Sequence, residues 1–598
     1  MPTYEAPTEE FKFLLYDFLQ IDRYANLPGF EDASPDLIDA ILDEGGKFMS
    51  EVLAPLNQVG DSEGCTFNDG EVTTPTGFKE AYKSWCEAGW GSLTADPDYG
   101  GQGLPFVLGF AFNEMGSAAN QAFAMYPGLS HGAYEAIHRW GTQEQKDTYL
   151  PKIVSGQWTG TMNLTEPHCG TDLGLMRTKA EPQADGSYQI TGTKIFISAG
   201  EHDMAENIIH LVLAKIPGGP DGIRGVSLFI VPKFMVDENG TVGARNGVAC
   251  GSIEHKMGIH GNSTCVMNYD NATGYLIGEA HRGMRAMFTM MNAARLGVGI
   301  QGMSQSVVAY QNAVTYARDR LQGRALTGAA EPDKAADPII VHPDVRRMLM
   351  TIRAFNEGAR ALALWTGLNI DFAEKHPDEE ARKEAEDLVA LLTPMIKSYA
   401  TDMGFECANL AMQCYGGHGY IHEWGMEQFV RDARITQIYE GANGVQALDL
   451  VGRKLPEGMG RLLRRFFHPV SRFIEDNMKD PAMREFVTPL AGAFARLQSA
   501  TSYVAQEGMK DPNEAAAASS DYLKLFALVA VGYMWAGMAK TATEKLASDG
   551  ANGRGEFYEN KLKTARFFMQ RMLPDCNSLA AKVTAGADSM MAMSEEAF

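Results

Sequence analysis

Glu440 lies in the stretch QIYEGANGVQALDL, residues 437–450, between Tyr439 and Gly441 and just before an apolar run that reads as a helix. A carboxylate there can do two things. It can cap the free N–H groups of the helix start, or, once shielded from water, it can be raised toward the range in which a general base removes a proton. The residues alone leave both open. A second stretch, MNLTEPHCGTDLGLMRTKA (162–180), is dense in small and hydroxyl residues, which let backbone N–H groups approach an anionic or planar ligand closely. GLSHG (128–132) has the form GxSxG, so an esterase would need Ser130 on a strained elbow between strand and helix. Pro127, directly before it, makes a poor end to a buried strand. His418 and His422 have the i, i+4 spacing of two zinc ligands on a helix, but Gly419 lies between them and no third ligand stands near, so a turn with two polar rings is the better reading and no metal is expected. GGQG (100–103), GGHGY (416–420) and EGANG (440–444) all fail the GxGxxG spacing between strand and helix that a nicotinamide-binding fold requires.

These residues must be held by a large frame. A chain of 598 residues is too long for one core and suggests about four structural units. With 45% hydrophobic and 21% charged residues it has the composition of an ordinary globular protein. Lys and Arg number 52 against 75 Asp and Glu, a formal charge of −23, which disfavours nucleic acid and anionic membrane as partners. An anionic ligand therefore needs a local cation. The opening MPTYEAPTEEFKFLLYDFLQ lacks the basic and apolar regions of a secretory signal, so a cytoplasmic location is expected. LFALVAVGYMWAGMA (525–539) is shorter than the ~20 residues of a membrane span and is predicted to be a buried helix. The eight cysteines are scattered, without a CxxC pair, and are expected to be reduced.

Periodicity divides the chain into four. Residues 1–159 read as helical, broken by turn signals such as DPDYGGQGLP (96–105). YQITGTKIFIS (188–198), NIIHLVLAKI (207–216) and GVSLFIVPKF (225–234) are short apolar or β-branched runs, with turns at Asp185-Gly186 and Asn239-Gly240, so residues 160–280 are predicted to form an antiparallel β domain. From 281 the period becomes helical again: Met303, Val307, Tyr310, Val314, Ala317 and Leu321 mark one face, and Val345, Met348, Ile352, Phe355, Ala359 and Leu362 another, after a connector from Thr327 to His342. With a third helix around Leu388–Met412 these predict a bundle over 281–455. Residues 456–598 read as a further helical extension. Segregated runs of this kind define an α+β chain of several domains.

The stretches LTEPHCGTD (164–172), GTKIFISAG (192–200), EHKMGIHGNSTC (254–265), YARDRLQGRAL (316–326), QCYGGHGYIHEW (413–424) and RDARITQIYEG (431–441), in this order and spacing, resemble the acyl-CoA dehydrogenase family over roughly residues 80–455. Length, opening and C-terminal helices are most similar to its long bacterial type. The resemblance implies FAD-dependent α,β-dehydrogenation of an acyl-CoA thioester, with electrons passed to electron transfer flavoprotein.

It also implies roles for residues. Glu440 becomes the base, with the Glu440 amide at the thioester oxygen, Gly441 allowing that approach and Tyr439 excluding water. Some relatives place the base just before the arginine that is here Arg295; that neighbour is Ala294, which cannot take a proton. Arg295 corresponds to an arginine near the substrate, with a structural ion pair equally open. Met162, Leu164 and Thr165 fall at the flavin edge, Gly170 and Thr171 near the flavin phosphates and the thioester, Phe196 and Ser198 behind the ring. An aromatic in a strand is otherwise a core residue, and the pattern alone reads Phe196 so. Arg320, Gln322, Gln413, Gly416 and Gly417 match positions that reach the FAD of an adjacent subunit, so a homo-oligomer, with a dimer favoured, is implied. Ala442 and Gly444 replace a usual threonine and a usual polar residue there, and looser adenosine binding is the expected cost. An acyl-CoA oxidase is the near alternative, although the ending SEEAF is no peroxisomal tripeptide; a flavin-free helical scaffold is the distant one. The acyl group stays open among methylthiopropionyl, short straight-chain and longer fatty acyl.

Overall fold

The computed structural model describes residues 2–237, 239–548 and 553–598. Contacts divide the chain into two compact units. One comprises Glu44–Leu104 and Met115–Gly297; the other comprises the chain up to Asp43, Pro105–Glu114 and everything from Val298 on.

The first unit holds every strand among the described residues. A small hairpin of β1 (Thr66–Asn68) and β2 (Glu71–Thr73) turns at Asp69 and Gly70, with φ of 47° and 86°. The reading of residues 1–159 as helical passed over this hairpin, although the Asp-Gly pair flanked by alternating residues in TFNDGEVT is a hairpin signal. The main sheet contains β3 (Trp158–Asn163), β4 (Lys179–Pro182), β5 (Tyr188–Ser198), β6 (Asn207–Lys215), β7 (Val226–Pro232), β10 (Val248–Ile253) and β11 (Thr264–Ile277), and β8 (Phe234–Val236) pairs with β9 (Val242–Arg245) beside it. Its order is β10-β11-β5-β4-β6-β3, with β7 bridging β11 and β6. Residues 207–214 of β6 and all of β7 are buried, which explains why those runs are continuously apolar rather than alternating. The turn between β4 and β5 falls at Asp185-Gly186 as expected, with Gly186 at φ 87° and Asp185 Oδ1 accepting from Ser187 N and Oγ. Most pairings are antiparallel. The exceptions are β3 and β4, which run parallel to β6, so the sheet is mixed where a purely antiparallel one was expected.

The long helices include α1 (Phe106–Trp140), broken by the extended backbone of Asn120 (φ −160°, ψ 93°), and α2 (Gly283–Asp319). The second unit adds α3 (Pro343–Lys375), α4 (Glu379–Cys414), α5 (Asn443–Asp449), α6 (Pro512–Ala547) and α7 (Gly555–Phe567). In α3 the expected stripe is buried from Met348 to Leu362. In α2, Met303, Val307 and Ala317 are buried, but the helix ends at Asp319, and Leu321 instead pairs with Pro338 in an isolated bridge. A Cβ on Gly404 would lie 2.1 Å from the Gly302 carbonyl oxygen, so α2 and α4 cross closely only because both positions lack a side chain. The connector before α3 is organised by Asp337, which accepts from the amides of Ala325, Ala330 and Glu331 and from Arg324.

The apolar run 525–539 lies within α6, the one helix among the described residues long and apolar enough to cross a membrane; 83% of its most apolar window is buried. Trp535 of α6 donates to the Ala354 carbonyl at 3.0 Å, tying the C-terminal helices to the bundle. Beside it the buried Lys561 pairs with Glu10 and, at 2.7 Å, with Glu357. Burial pushes the Glu357 carboxyl up, but Lys561 and Arg353 beside it hold it well below the usual range. One cation therefore joins the N-terminal segment, α3 and α7. Lys561→Met keeps most of the volume but strands two buried carboxylates; a loss of about 3–5 kcal/mol is expected, read as a lower urea midpoint.

Candidate active site

In the unit that begins again at Val298, Glu440 has φ 58° and Gly441 φ 84°. A non-glycine residue in the left-handed region costs about 1–2 kcal/mol and persists only where its surroundings impose it. Here the surroundings are identifiable. Tyr439 OH donates to Gln301 Oε1 on α2 at 2.5 Å. Gln446 Nε2 donates to the carbonyls of both Glu440 and Gly441, at 3.2 and 3.3 Å. Asn443 Nδ2 reaches Asp402 Oδ1 (2.7 Å), Thr401 Oγ1 (3.0 Å) and the Ser398 carbonyl (3.2 Å) on α4, while the buried Lys397 donates to Asn443 Oδ1 at 2.9 Å. Gln437 Nε2 adds a bond to Asp402 at 2.8 Å. Glu440 is not the cap of the following helix. That position is Ala442, and no side chain caps it.

In the other unit the LTEP loop is stapled to β5. Buried Lys194 donates to the Leu164 carbonyl and to Glu166 Oε1, both at 2.9 Å, and Ile195 N donates to the Thr165 carbonyl at 2.9 Å. Glu166 also accepts from Arg177 N, Thr178 N and Thr178 Oγ1. Burial raises its carboxyl, but Lys194 and the Thr178 and Arg177 bonds outweigh that and leave it below the usual range. One residue beyond this staple the pairing of β5 with β11 slips, so that two residues, Ile195 and Phe196, oppose the single Val266. The bulge puts Phe196 at φ 59° and leaves it 59% exposed. The core reading of Phe196 is thus overturned: a bulge re-aims the side chain that strict alternation would have kept in register. Ser198, half-buried, pairs with Thr264 beyond the bulge. Met162, Leu164 and Thr165 are half-buried, Gly170 and Thr171 exposed. Arg295 lies on α2 with its guanidinium 5.7 Å from the Phe288 ring and 3.4 Å from Asn292 Oδ1.

The remaining candidates, all in the same unit as Glu440, are exposed: Arg320, Gln322, Gln413, Gly416 and Gly417, with Ala442 and Gly444. A Cβ on Gly416, Gly417 or Gly444 would meet nothing within 4 Å, so these are open surfaces that a ligand can approach closely. Nearby, Tyr316 stacks on Tyr415 (4.0 Å), His418 stacks on Trp424 (4.4 Å), and Tyr316 OH lies 2.9 Å from His418 Nδ1. His422 instead meets Glu427 at 2.8 Å. The two histidines sit in separate short 3-10 turns, so the helical zinc spacing does not exist. Ser130 is 6% exposed inside α1, donating to the Tyr126 carbonyl and accepting from Gly160 N. It forms no elbow, which removes the esterase reading.

In the unit that holds the strands, an exposed aromatic on a bulge next to a loop rich in small and hydroxyl residues suits a ligand with a flat ring; in the other unit, bare glycines leave their backbone open to a ligand. Sequence comparison agrees. The chain matches the acyl-CoA dehydrogenase N-terminal, middle and C-terminal domains over residues 38–157, 161–272 and 281–455, and the acetyl-CoA dehydrogenase C-terminal-like domain over 466–594. It belongs to the acyl-CoA dehydrogenase family of FAD-dependent enzymes. Among its relatives are 3-methylmercaptopropionyl-CoA dehydrogenase of Ruegeria pomeroyi, 43% identical over 99% of this chain and 100% of that one, and a butyryl-CoA dehydrogenase of Syntrophomonas wolfei, 35% identical over 98% of each. The fold is also that of an acyl-CoA dehydrogenase from Bacillus anthracis solved with FAD, with a TM-score of 0.75 and 23% identity over 96% of this chain and 91% of that one.

The Lys194–Glu166 staple, Gln446 and the Asn443 cluster escaped the reading of the sequence. The available signals were a lysine in phase with inward Ile190 on β5, and a lysine at 397 inside the otherwise apolar run of α4. Because Glu166 lies below its ordinary value of 4.5, its contribution to stability is complete above that pH and fades as the pH falls through it. Glu166→Gln is expected to cost roughly 3–5 kcal/mol at neutral pH and to flatten this acid-side decline, as measured by urea unfolding across the pH range.

Proposed function

We propose that the chain oxidises an acyl-CoA thioester to the trans-2-enoyl-CoA, with Glu440 as the base that removes the α-proton. The observation that carries this reading is the left-handed Glu440–Gly441 pair: a glutamate on strained backbone, braced from several sides, at the position the family motif assigns to the base. Ala294 offers no alternative before Arg295.

The α-hydrogen of a thioester is a weak acid, so proton removal demands stabilisation of charge on the carbonyl oxygen. In this proposal the backbone N–H of Glu440 donates to that oxygen while its carboxylate takes the proton, and Tyr439 and the acyl chain keep water away. Exclusion of water raises the carboxyl toward the working range of a base. Arg295 orients the substrate near the base. Bound FAD supplies the acceptor for the hydride that leaves the β-carbon. Met162, Leu164, Thr165, Phe196 and Ser198 would hold its ring, Gly170 and Thr171 its phosphates beside the thioester. Arg320, Gln322, Gln413, Gly416 and Gly417 would hold the FAD of an adjacent subunit, which makes a homodimer part of the proposal.

The acyl group we favour is 3-(methylthio)propanoyl, or a short to medium fatty acyl. The support is the match to the Ruegeria relative along its whole length, and the butyryl enzyme keeps the straight-chain group in view. With the sulfur substrate the reaction would belong to dimethylsulfoniopropionate breakdown in the cytoplasm. Electron transfer flavoprotein is the proposed acceptor. In domain terms, residues 1–159 and 160–280 would supply the helical and β parts, 281–455 the base, and 456–598 would cover the surface that tetramer packing uses, which favours the dimer.

Two measurements test this. Under anaerobic conditions a panel of acyl-CoA thioesters is expected to bleach the flavin fastest with 3-(methylthio)propanoyl-CoA; a longer fatty acyl leading the panel rejects the substrate. Glu440→Gln is expected to keep FAD and bind thioester yet bleach at least 1,000-fold more slowly, on the order of the loss of a general base and its positioning together. Undiminished bleaching rejects Glu440 as the base.

A further inference from the structure

We infer that Gln446 is a positioning residue for the reaction: its carboxamide brackets the left-handed Glu440–Gly441 pair and so sets the direction of the Glu440 carboxylate. The inference rests on the reading of Glu440 as the base.

Four observations lead to it. The single Nε2 group of Gln446 donates to two consecutive carbonyls, Glu440 O and Gly441 O, which can both face one donor only if their peptide planes are turned to the same side. Those two planes meet at the Cα of Gly441, whose φ is 84°, so the shared donor fixes the hinge that directly follows Glu440. The side chain is 1% exposed, so water does not compete for these acceptors. A Cβ on Gly441 would lie 2.5 Å from Nε2, so the amide occupies the space a side chain at 441 would need.

The bracket has a rigid base. The amide N–H of Gln446 donates to the Ala442 carbonyl at 3.1 Å in the first turn of α5, and Asn443, which opens that helix, is fastened to Ser398, Thr401 and Asp402 on α4. Tyr439, on the other side of Glu440, is held to Gln301 of α2. The Glu440 backbone is thus fixed from both directions. The bond from Gln446 acts on the residue itself. A base displaced by about 1 Å from its productive position loses rate in proton abstraction far more than affinity, with losses on the order of 100-fold.

Gln446→Leu fills a similar volume and has no donor. In the FAD-loaded variant the expected result is flavin bleaching at saturating thioester slowed about 100-fold, with the half-saturating thioester concentration changed by less than about threefold. A second readout isolates the proton step: a thioester with sulfur in place of its β-carbon keeps α-hydrogens but has no β-hydrogen to transfer, and exchange of those α-hydrogens with D2O should slow in parallel. A purely structural role would lower flavin content or unfolding temperature and leave exchange per bound flavin at the wild-type rate; that result overturns the proposal. Gln446→Glu supplies the second variant should the leucine form fail to fold. Its carboxylate repels the two carbonyls at neutral pH, whereas its protonated form can donate to one of them. Its rate relative to wild type should therefore rise as the pH falls, and a constant ratio overturns the proposal. Glu440→Gln is measured alongside. If it bleaches normally the base reading fails; if it is inactive while Gln446→Leu is unaffected, the bracket alone fails.

Discussion

A glutamate at φ 58° followed by a glycine at 84° is a conformation the chain does not adopt for its own sake. It exists because Gln446 holds two carbonyls, Asn443 anchors the next helix to α4, and Tyr439 is tied to Gln301. The same constraint accounts for neighbouring choices. The Gln446 amide lies where a side chain at Gly441 would stand, and the buried Lys397 donates to Asn443 Oδ1. Strained backbone of this kind persists only because its surroundings impose it.

Buried charge recurs wherever distant segments must be joined. Lys194 and Glu166 fasten a loop to a strand, Lys561 gathers Glu10 and Glu357, and Arg360 faces Glu114 in the bundle. Each is nearly or fully withdrawn from solvent, where breaking one partner costs far more than a surface pair would. A chain with a net charge of −23 thus uses buried cations as fasteners in its interior. Arg320, by contrast, lies exposed at the surface.

Much of the frame was legible in advance. Strands β5, β6 and β7 and the helices from 283 to 414 follow from their hydrophobic periods, and the apolar run at 525–539 proved to be a buried helix. The misses have physical causes. The β1–β2 hairpin is only three residues per strand, too short to outweigh the helical pattern around it. The parallel partners of β6 are joined by connections that leave no local signal. Phe196 looked like core because alternation assumes an unbroken ladder, and the bulge opposite Val266 breaks it.

By itself the sequence determined the kinds of elements, their order and the motifs that place Glu440, Phe196 and the LTEP loop in a family, since these depend on residues near one another in the chain. Only the tertiary structure decided that Glu440 is left-handed, that Phe196 points outward, that Ser130 lies inside a helix, and that Lys194 and Gln446 are braces. Those outcomes depend on hydrogen-bond partners brought from other elements, such as Lys397 to Asn443 or Lys194 to Leu164. Local periodicity carries no record of such partners, because the free energy that selects them appears only when the backbone groups are buried together and must be satisfied.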